Sequence, residues 1–200
     1  MKPTRTIKKL TNGDNVTIVA LGDSLTAGWM THKGYVDFLQ EKLAQSYPQA
    51  KITFVKAGLP GDTAQNGRNR LRTEGLDYNP DCVLIQFALN DAFCGYSPTQ
   101  FRASISIMIE DIKFDSDADI ILLTSSYLGE NAENNFVEEF YQQLEGLAIS
   151  YNIPIAKTHT HWQNKIKDGI AFESLLLHDG VHPTISGYAL MAEAIMELFV

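Results

Sequence analysis

Four short stretches carry the residue types that break and make acyl bonds. The first is Gly22-Asp23-Ser24-Leu25-Thr26-Ala27-Gly28. Its serine follows the apolar run Val16 to Leu21 by a few residues, between glycines that allow a sharp turn. Ser24 is thus either a nucleophile held at a sheet edge or a residue that simply closes the turn. The second and third are Ala57-Gly58-Leu59-Pro60-Gly61-Asp62-Thr63 and Ala88-Leu89-Asn90-Asp91. A backbone N–H at Gly58 and a side-chain amide at Asn90 are the donors that a developing oxyanion needs. A tight turn and an Asn-Asp helix cap are the plain alternatives. The fourth is His178-Asp179-Gly180-Val181-His182-Pro183, where His182 suits a general base and Asp179, about one turn earlier, suits the group that fixes its tautomer. A surface histidine is the alternative there.

These stretches need elements to hold them, and the hydropathy pattern supplies alternating strands and helices. Val16 to Leu21, Ile52 to Val55, Cys82 to Phe87, Asp119 to Leu123 and Ile153 to Ala156 read as strands. Tyr35 to Tyr47, Thr63 to Leu71, Pro98 to Phe114, about Asn135 to Tyr151, and Ile185 to Phe199 read as helices. Ser97 with Gln100 forms a capping box ahead of Pro98, which marks the third helix most clearly. Strands alternating with helices predict a three-layer α/β/α sandwich around a parallel sheet of about five strands, flavodoxin-like in outline. Ligands of such sheets sit beyond the carboxyl ends of the strands, where the first three stretches fall; the fourth precedes the last helix.

Taken together and in this order, the four stretches resemble the blocks of the SGNH hydrolases, the GDSL esterase and lipase family. The resemblance covers nearly the whole chain. Gly61-Asp62-Thr63, with Gly67 and Arg70-Leu71, is most similar to the small bacterial thioesterase, lysophospholipase and arylesterase type. It implies Ser24 as nucleophile, with Asp179 and His182 completing the catalytic set. Gly58, Asn90 and the Ser24 backbone N–H are implied as oxyanion donors. The family's third block usually reads Gly-x-Asn-Asp, whereas this chain has Ala88 first. A methyl group there is tolerated if the backbone angles are ordinary, so the departure bears on substrate size and not on reaction class. Because imidazole ordinarily titrates near about 6.5, activity is expected to fall in mild acid unless Asp179 raises that value.

The implied substrate is a small acyl ester of short to medium chain, or a thioester or lysophospholipid, with a carbohydrate O-acetyl ester as the alternative. Trp29, Phe93 and Tyr127, together with Met30, Tyr96 and Leu128, fall in loops after strands and are candidate substrate-wall residues. Short loops leave little length for a lid, which predicts an open, shallow site. No cofactor and no metal are required. His159-x-His161, read as a strand pair, lacks the further ligands of a zinc site. Cys94 lacks a histidine of its own, and Asp62 and Asp91 are expected to hold loops.

At 200 residues the chain suits one domain, residues 1–200, with 1–15 as an untied and mobile end. The absence of any apolar run of about 20 residues excludes a membrane-spanning reading. A formal charge of −8 opposes a nucleic-acid partner. Two cysteines and no recognisable export signal point to reduced thiols and a cytoplasmic protein. The oligomeric state is left open. Two rivals stand outside the hydrolase reading: a flavodoxin-like phosphate or flavin carrier, and a non-catalytic lipid or carbohydrate binder. An acyltransferase remains open inside the enzyme class.

Overall fold

A computed structural model describes residues 1–200, the side chain at position 132 excepted. From the N-terminus run α1 (Thr4–Asn12), β1 (Asn15–Gly22), α2 (Ser24–Ala27), α3 (Tyr35–Ser46), β2 (Lys51–Gly58) and α4 (Ala64–Glu74). There follow β3 (Cys82–Gln86), α5 (Leu89–Phe93), α6 (Pro98–Asp115), β4 (Asp119–Leu123) and α7 (Ala132–Tyr151). The chain closes with β5 (Ile155–Ala156), α8 (Thr158–Lys167) and α9 (Ile185–Met196). All strand pairs are parallel, in the order β2-β1-β3-β4-β5. Helices α3, α8 and α9 pack together on one face, and α4, α6 and α7 on the other. The predicted three-layer sandwich is therefore the observed one.

Parallel strands covered on both faces are apolar throughout, and here Val83 to Ile85 and Ile120 to Leu123 are wholly buried. Each such side chain contributes about 1.5–3 kcal/mol by leaving water. From β1 the chain crosses outward to β2; from β2 it jumps over β1 to β3 and continues away. The crevice between the ends of β1 and β3 is thus the switch point where doubly wound sheets bind ligands.

The capping box is present: Gln100 N donates to Ser97 Oγ at 3.2 Å and Ser97 N to Gln100 Oε1 at 2.9 Å. Helix α7 begins earlier than its periodicity suggests, because Asn131 Oδ1 accepts from Asn134 N at 2.8 Å and caps it. Two expectations are corrected. The segment before β1 is not an untied end: it forms α1, with Leu10 buried and Thr6 N and Oγ1 both bonded to Asp119 Oδ2. His159 and His161 do not share a strand face. They lie on α8, where a spacing of two points side chains to opposite sides. Among the described residues no helix is long and apolar enough to cross a membrane.

Candidate active site

β1 ends at Gly22, and Asp23 turns the chain into α2, a single helical turn that begins at Ser24. Asp23 Oδ1 accepts from Leu25 N at 2.9 Å, and Gly28, at φ 71°, ends the turn in the left-handed region. Ser24 is thereby lifted to the sheet edge, where the residue is only 7% exposed. Across from it, Leu176 and Pro183 form an isolated antiparallel bridge, and Leu177 N donates to His182 O at 2.8 Å. The loop between them presents Asp179 and His182 inward.

His182 Nε2 lies 2.9 Å from Ser24 Oγ, and His182 Nδ1 lies 2.8 Å from Asp179 Oδ2. The other Asp179 oxygen accepts the backbone N–H groups of Val181 and His182, each at 2.9 Å. Partial burial pushes the Asp179 carboxyl up, but those two N–H bonds and the imidazole outweigh it and hold the group below the usual carboxylate range. An ionised Asp179 fixes hydrogen on Nδ1 and leaves Nε2 as an acceptor for the serine proton. Residues 158 positions apart are thus joined in one hydrogen-bonded line.

Gly58 ends β2 in register with Gly22, and a Cβ built on it would lie 2.3 Å from Ala27 N, inside the backbone of α2. Only glycine lets the β2 end sit this close to the Ser24 turn. Asn90 is the second residue of α5, and its Nδ2 donates to Asp62 O at 2.9 Å. A carboxamide nitrogen has two hydrogens, so one remains for a ligand. Asp91 takes Ala64 N on both carboxylate oxygens at 3.0 Å, tying α5 to the start of α4; burial pushes this carboxyl up to about 7. Arg70 pairs with Asp62 at 2.6 Å and donates to Gly22 O and Ala57 O, each at 2.8 Å. These are the carbonyls just before Asp23 and Gly58, and the loop-holding reading of Asp62 and Asp91 agrees with this framework.

A model of the GDSL-like lipase and acylhydrolase family matches residues 20–190. The chain belongs to that family. As an acylhydrolase of the GDSL type it is a carboxylic ester hydrolase. An arylesterase of Vibrio mimicus is 26% identical over 182 residues, covering 90% of this chain and 86% of the relative. Thioesterase 1/protease 1/lysophospholipase L1 of Escherichia coli is 25% identical over 179 residues, covering 88% and 80%. The crystal structure of Axe2, an acetylxylan esterase from Geobacillus stearothermophilus, superposes with a TM-score of 0.82 at 20% identity, covering 92% of this chain and 94% of that one.

Within this GDSL fold the other candidate residues separate. Trp29 and Phe93 are about half exposed, at 50% and 49%, in the segments after β1 and β3. Tyr127 is largely buried, packs edge-on against Phe172 with centroids 5.8 Å apart, and lines a small cavity of about 180 Å³ with Glu130, Gln163, Ile166 and Lys167. Cys94 is exposed and lines a cavity of about 440 Å³ with Thr63, Asn66, Tyr96 and Gln100, beside the Asn90 loop. His159 is a core residue: its Nδ1 meets Thr124 Oγ1 at 2.8 Å, and burial depresses its pKa to about 4. His161 faces Glu193 and Glu197 at 3.5 and 3.2 Å. Among the described residues no group of three or more His, Cys, Asp or Glu side chains is placed to hold a metal ion.

The sequence reading missed Gln86, Thr26 and Ser125, which form a buried polar cluster under the Ser24 turn. The one visible signal was a glutamine closing an otherwise apolar strand. The departure at Ala88 also has a sharper meaning than expected. Its backbone sits at φ 148°, ψ −43°, which is not an ordinary conformation for a residue with a side chain. The surrounding packing holds it there against a strain of about 1–3 kcal/mol.

Proposed function

We propose that the chain hydrolyses short to medium acyl esters through an acyl-enzyme on Ser24, with His182 as general base and Asp179 as its orienting carboxylate. The observation that carries this reading is the continuous line Ser24 Oγ, His182, Asp179, at 2.9 and 2.8 Å. Serine alone is a weak nucleophile; a base within hydrogen-bond reach makes it competent. His182 Nε2 takes the Ser24 proton as Oγ attacks the ester carbonyl. The negative oxygen is met by the uncommitted Asn90 N–H, the Ser24 N–H and the backbone at Gly58. The tetrahedral species collapses, the C–O bond to the alcohol breaks, and the alcohol leaves with the proton from His182. Water then adds by the same route and the acid departs, restoring Ser24.

Crystal structures of catalytic mutants of Axe2 lend support, since those mutants replace a serine, a histidine and an aspartate. A carbohydrate O-acetyl ester is the second reading, favoured by the polar cavity of about 440 Å³ beside Asn90, lined by Thr63, Asn66, Tyr96 and Gln100. The cytoplasmic assignment belongs here too, supported by the free thiols Cys82 and Cys94.

Intact-protein mass after exposure to a fluorophosphonate tests the mechanism without a guess at substrate. One adduct on the wild type and none on Ser24→Ala is expected; no adduct on folded wild type refutes it. Acetylated xylo-oligosaccharides against an ester chain-length series then separate the two substrate classes.

A further inference from the structure

Directly beneath the Ser24 turn lies a polar side chain that the acyl-transfer scheme does not use. Gln86 closes β3 and is wholly buried. A buried carboxamide destabilises a fold unless its atoms are partnered, and here every partner belongs to a segment around the site. Its Nε2 donates to Asp23 Oδ2 at 3.3 Å and to Ser125 Oγ at 2.9 Å. Its Oε1 accepts from Thr26 Oγ1 at 2.8 Å. Asp23 caps α2 from before Ser24, and Thr26 lies two residues after it. One amide therefore grips the nucleophile turn on both sides and anchors it to the loop after β4. The grip leaves no room for a side chain at position 22, where a Cβ would meet Thr26 Oγ1 at 2.1 Å.

We propose that Gln86 is a positioning residue that fixes Ser24 through Asp23 and Thr26; this rests on the serine-esterase reading above. The neutrality of the amide is part of the role. Asp23 is wholly buried, and the titratable groups facing it are Asp62 from the loop after β2, Asp91 from α5, Tyr35 from α3, Tyr141 from α7 and Tyr188 from α9. His182 stands beyond Ser24. With acids already around Asp23, the residue at position 86 must donate to it without bringing another charge. A glutamate there has the same shape, but it donates only while the pair shares a proton. Once that proton leaves, two carboxylates repel under Ser24.

The test is Gln86→Glu, read by Ser24 labelling with a fluorophosphonate and by kcat and KM from acid to alkaline pH. The variant is expected to track the wild type in acid and to fall about 10- to 100-fold below it as the pH rises, with KM unchanged within about twofold, since a displacement near 1 Å costs about that much in rate. The swapped pair Asp23→Asn/Gln86→Glu restores one amide and one carboxylate, so the alkaline loss is expected to disappear. A Gln86→Glu variant that follows the wild type at every pH, or that loses rate equally at every pH, overturns the proposal. So does a swapped pair that fails to recover. If Gln86→Glu does not fold, Ser125→Ala releases the same amide from its outer anchor. Its labelling rate is then expected to drop several-fold at constant KM, and an unchanged rate overturns the proposal. Unlabelled wild type would overturn the esterase reading itself, which separates the two failures.

Discussion

Gly58→Ala is the most direct probe of how the site is assembled. The added methyl would lie 2.3 Å from Ala27 N, 2.6 Å from the Thr26 carbonyl carbon and 2.9 Å from Ala27 Cα, whereas ordinary contact begins near 3.4 Å. The end of β2 or the start of α2 must therefore retreat by about 1 Å. Neither is a flexible side chain. Leu59 N holds Gly22 O at 3.0 Å, and Arg70 pins the carbonyls of both Gly22 and Ala57. A shift of about 1 Å between nucleophile and oxyanion donors lowers kcat by about 100-fold. The crowding itself costs about 1–3 kcal/mol, which for a chain of this size lowers Tm by about 2–12 °C. The assay is kcat and fluorophosphonate labelling at a temperature below both melting points, with thermal unfolding alongside. Gly146→Ala on α7 is the control: its methyl meets only the movable Arg102 Nη1, at 3.1 Å. That variant is expected to keep full rate and to gain about 0.5–1 kcal/mol from helix propensity. A Gly58→Ala enzyme with wild-type kcat and Tm would refute the reasoning.

Asn90→Ala removes the only side-chain donor proposed for the oxyanion, and kcat is expected to fall about 100- to 1,000-fold with little change in KM; a parallel rise in KM would point to binding instead. Asp91, raised by burial from an ordinary 3.8 to about 7, binds a proton in the folded chain that the unfolded chain has already released. Its contribution is whole below about pH 3.8 and is lost as the pH rises through about 7, so Asp91→Asn is expected to flatten that decline by up to about 4 kcal/mol. Urea melts across pH 4 to 8 measure it, and equal slopes for both proteins would refute it. At Ala88, glycine relieves the strained backbone and should leave the rate within about threefold, whereas valine adds bulk at φ 148° and should cost about 2–5 kcal/mol by thermal unfolding.

Much of this was legible because chemistry-bearing residues are rare in the loops after buried strands. Ser24, Asn90, Asp179 and His182 stood out by type, the first two just past the ends of β1 and β3 and the last two ahead of α9. Helix α6 was legible from Ser97, Pro98 and Gln100 alone. Helix α8 was not: Thr158, His159, Thr160 and His161 alternate like a strand and favour helix weakly, and only the burial of Thr158, His159 and Trp162 gives the face away. Helix α1 hides for a related reason. Its fully buried residues are only Thr6 and Leu10, and its anchor, Asp119, lies 113 positions from Thr6. Gln86 depends on partners from two separate segments, the Ser24 turn and the loop after β4, so no local pattern reveals it. Nor does sequence reveal a backbone angle, and Ala88 reads as a mild substitution until its φ is known.

The 158-residue separation of Ser24 from His182 also sets a clock on synthesis. At about 5–20 residues per second, the serine precedes its base from the ribosome by roughly 8 to 32 s. During that interval β1, β2 and β3 can pair and bury their apolar faces, yet His182, the proposed base, is not there to draw the proton from Ser24. On the proposed mechanism, hydrolytic competence therefore arrives late in synthesis, when the segment leading into α9 docks.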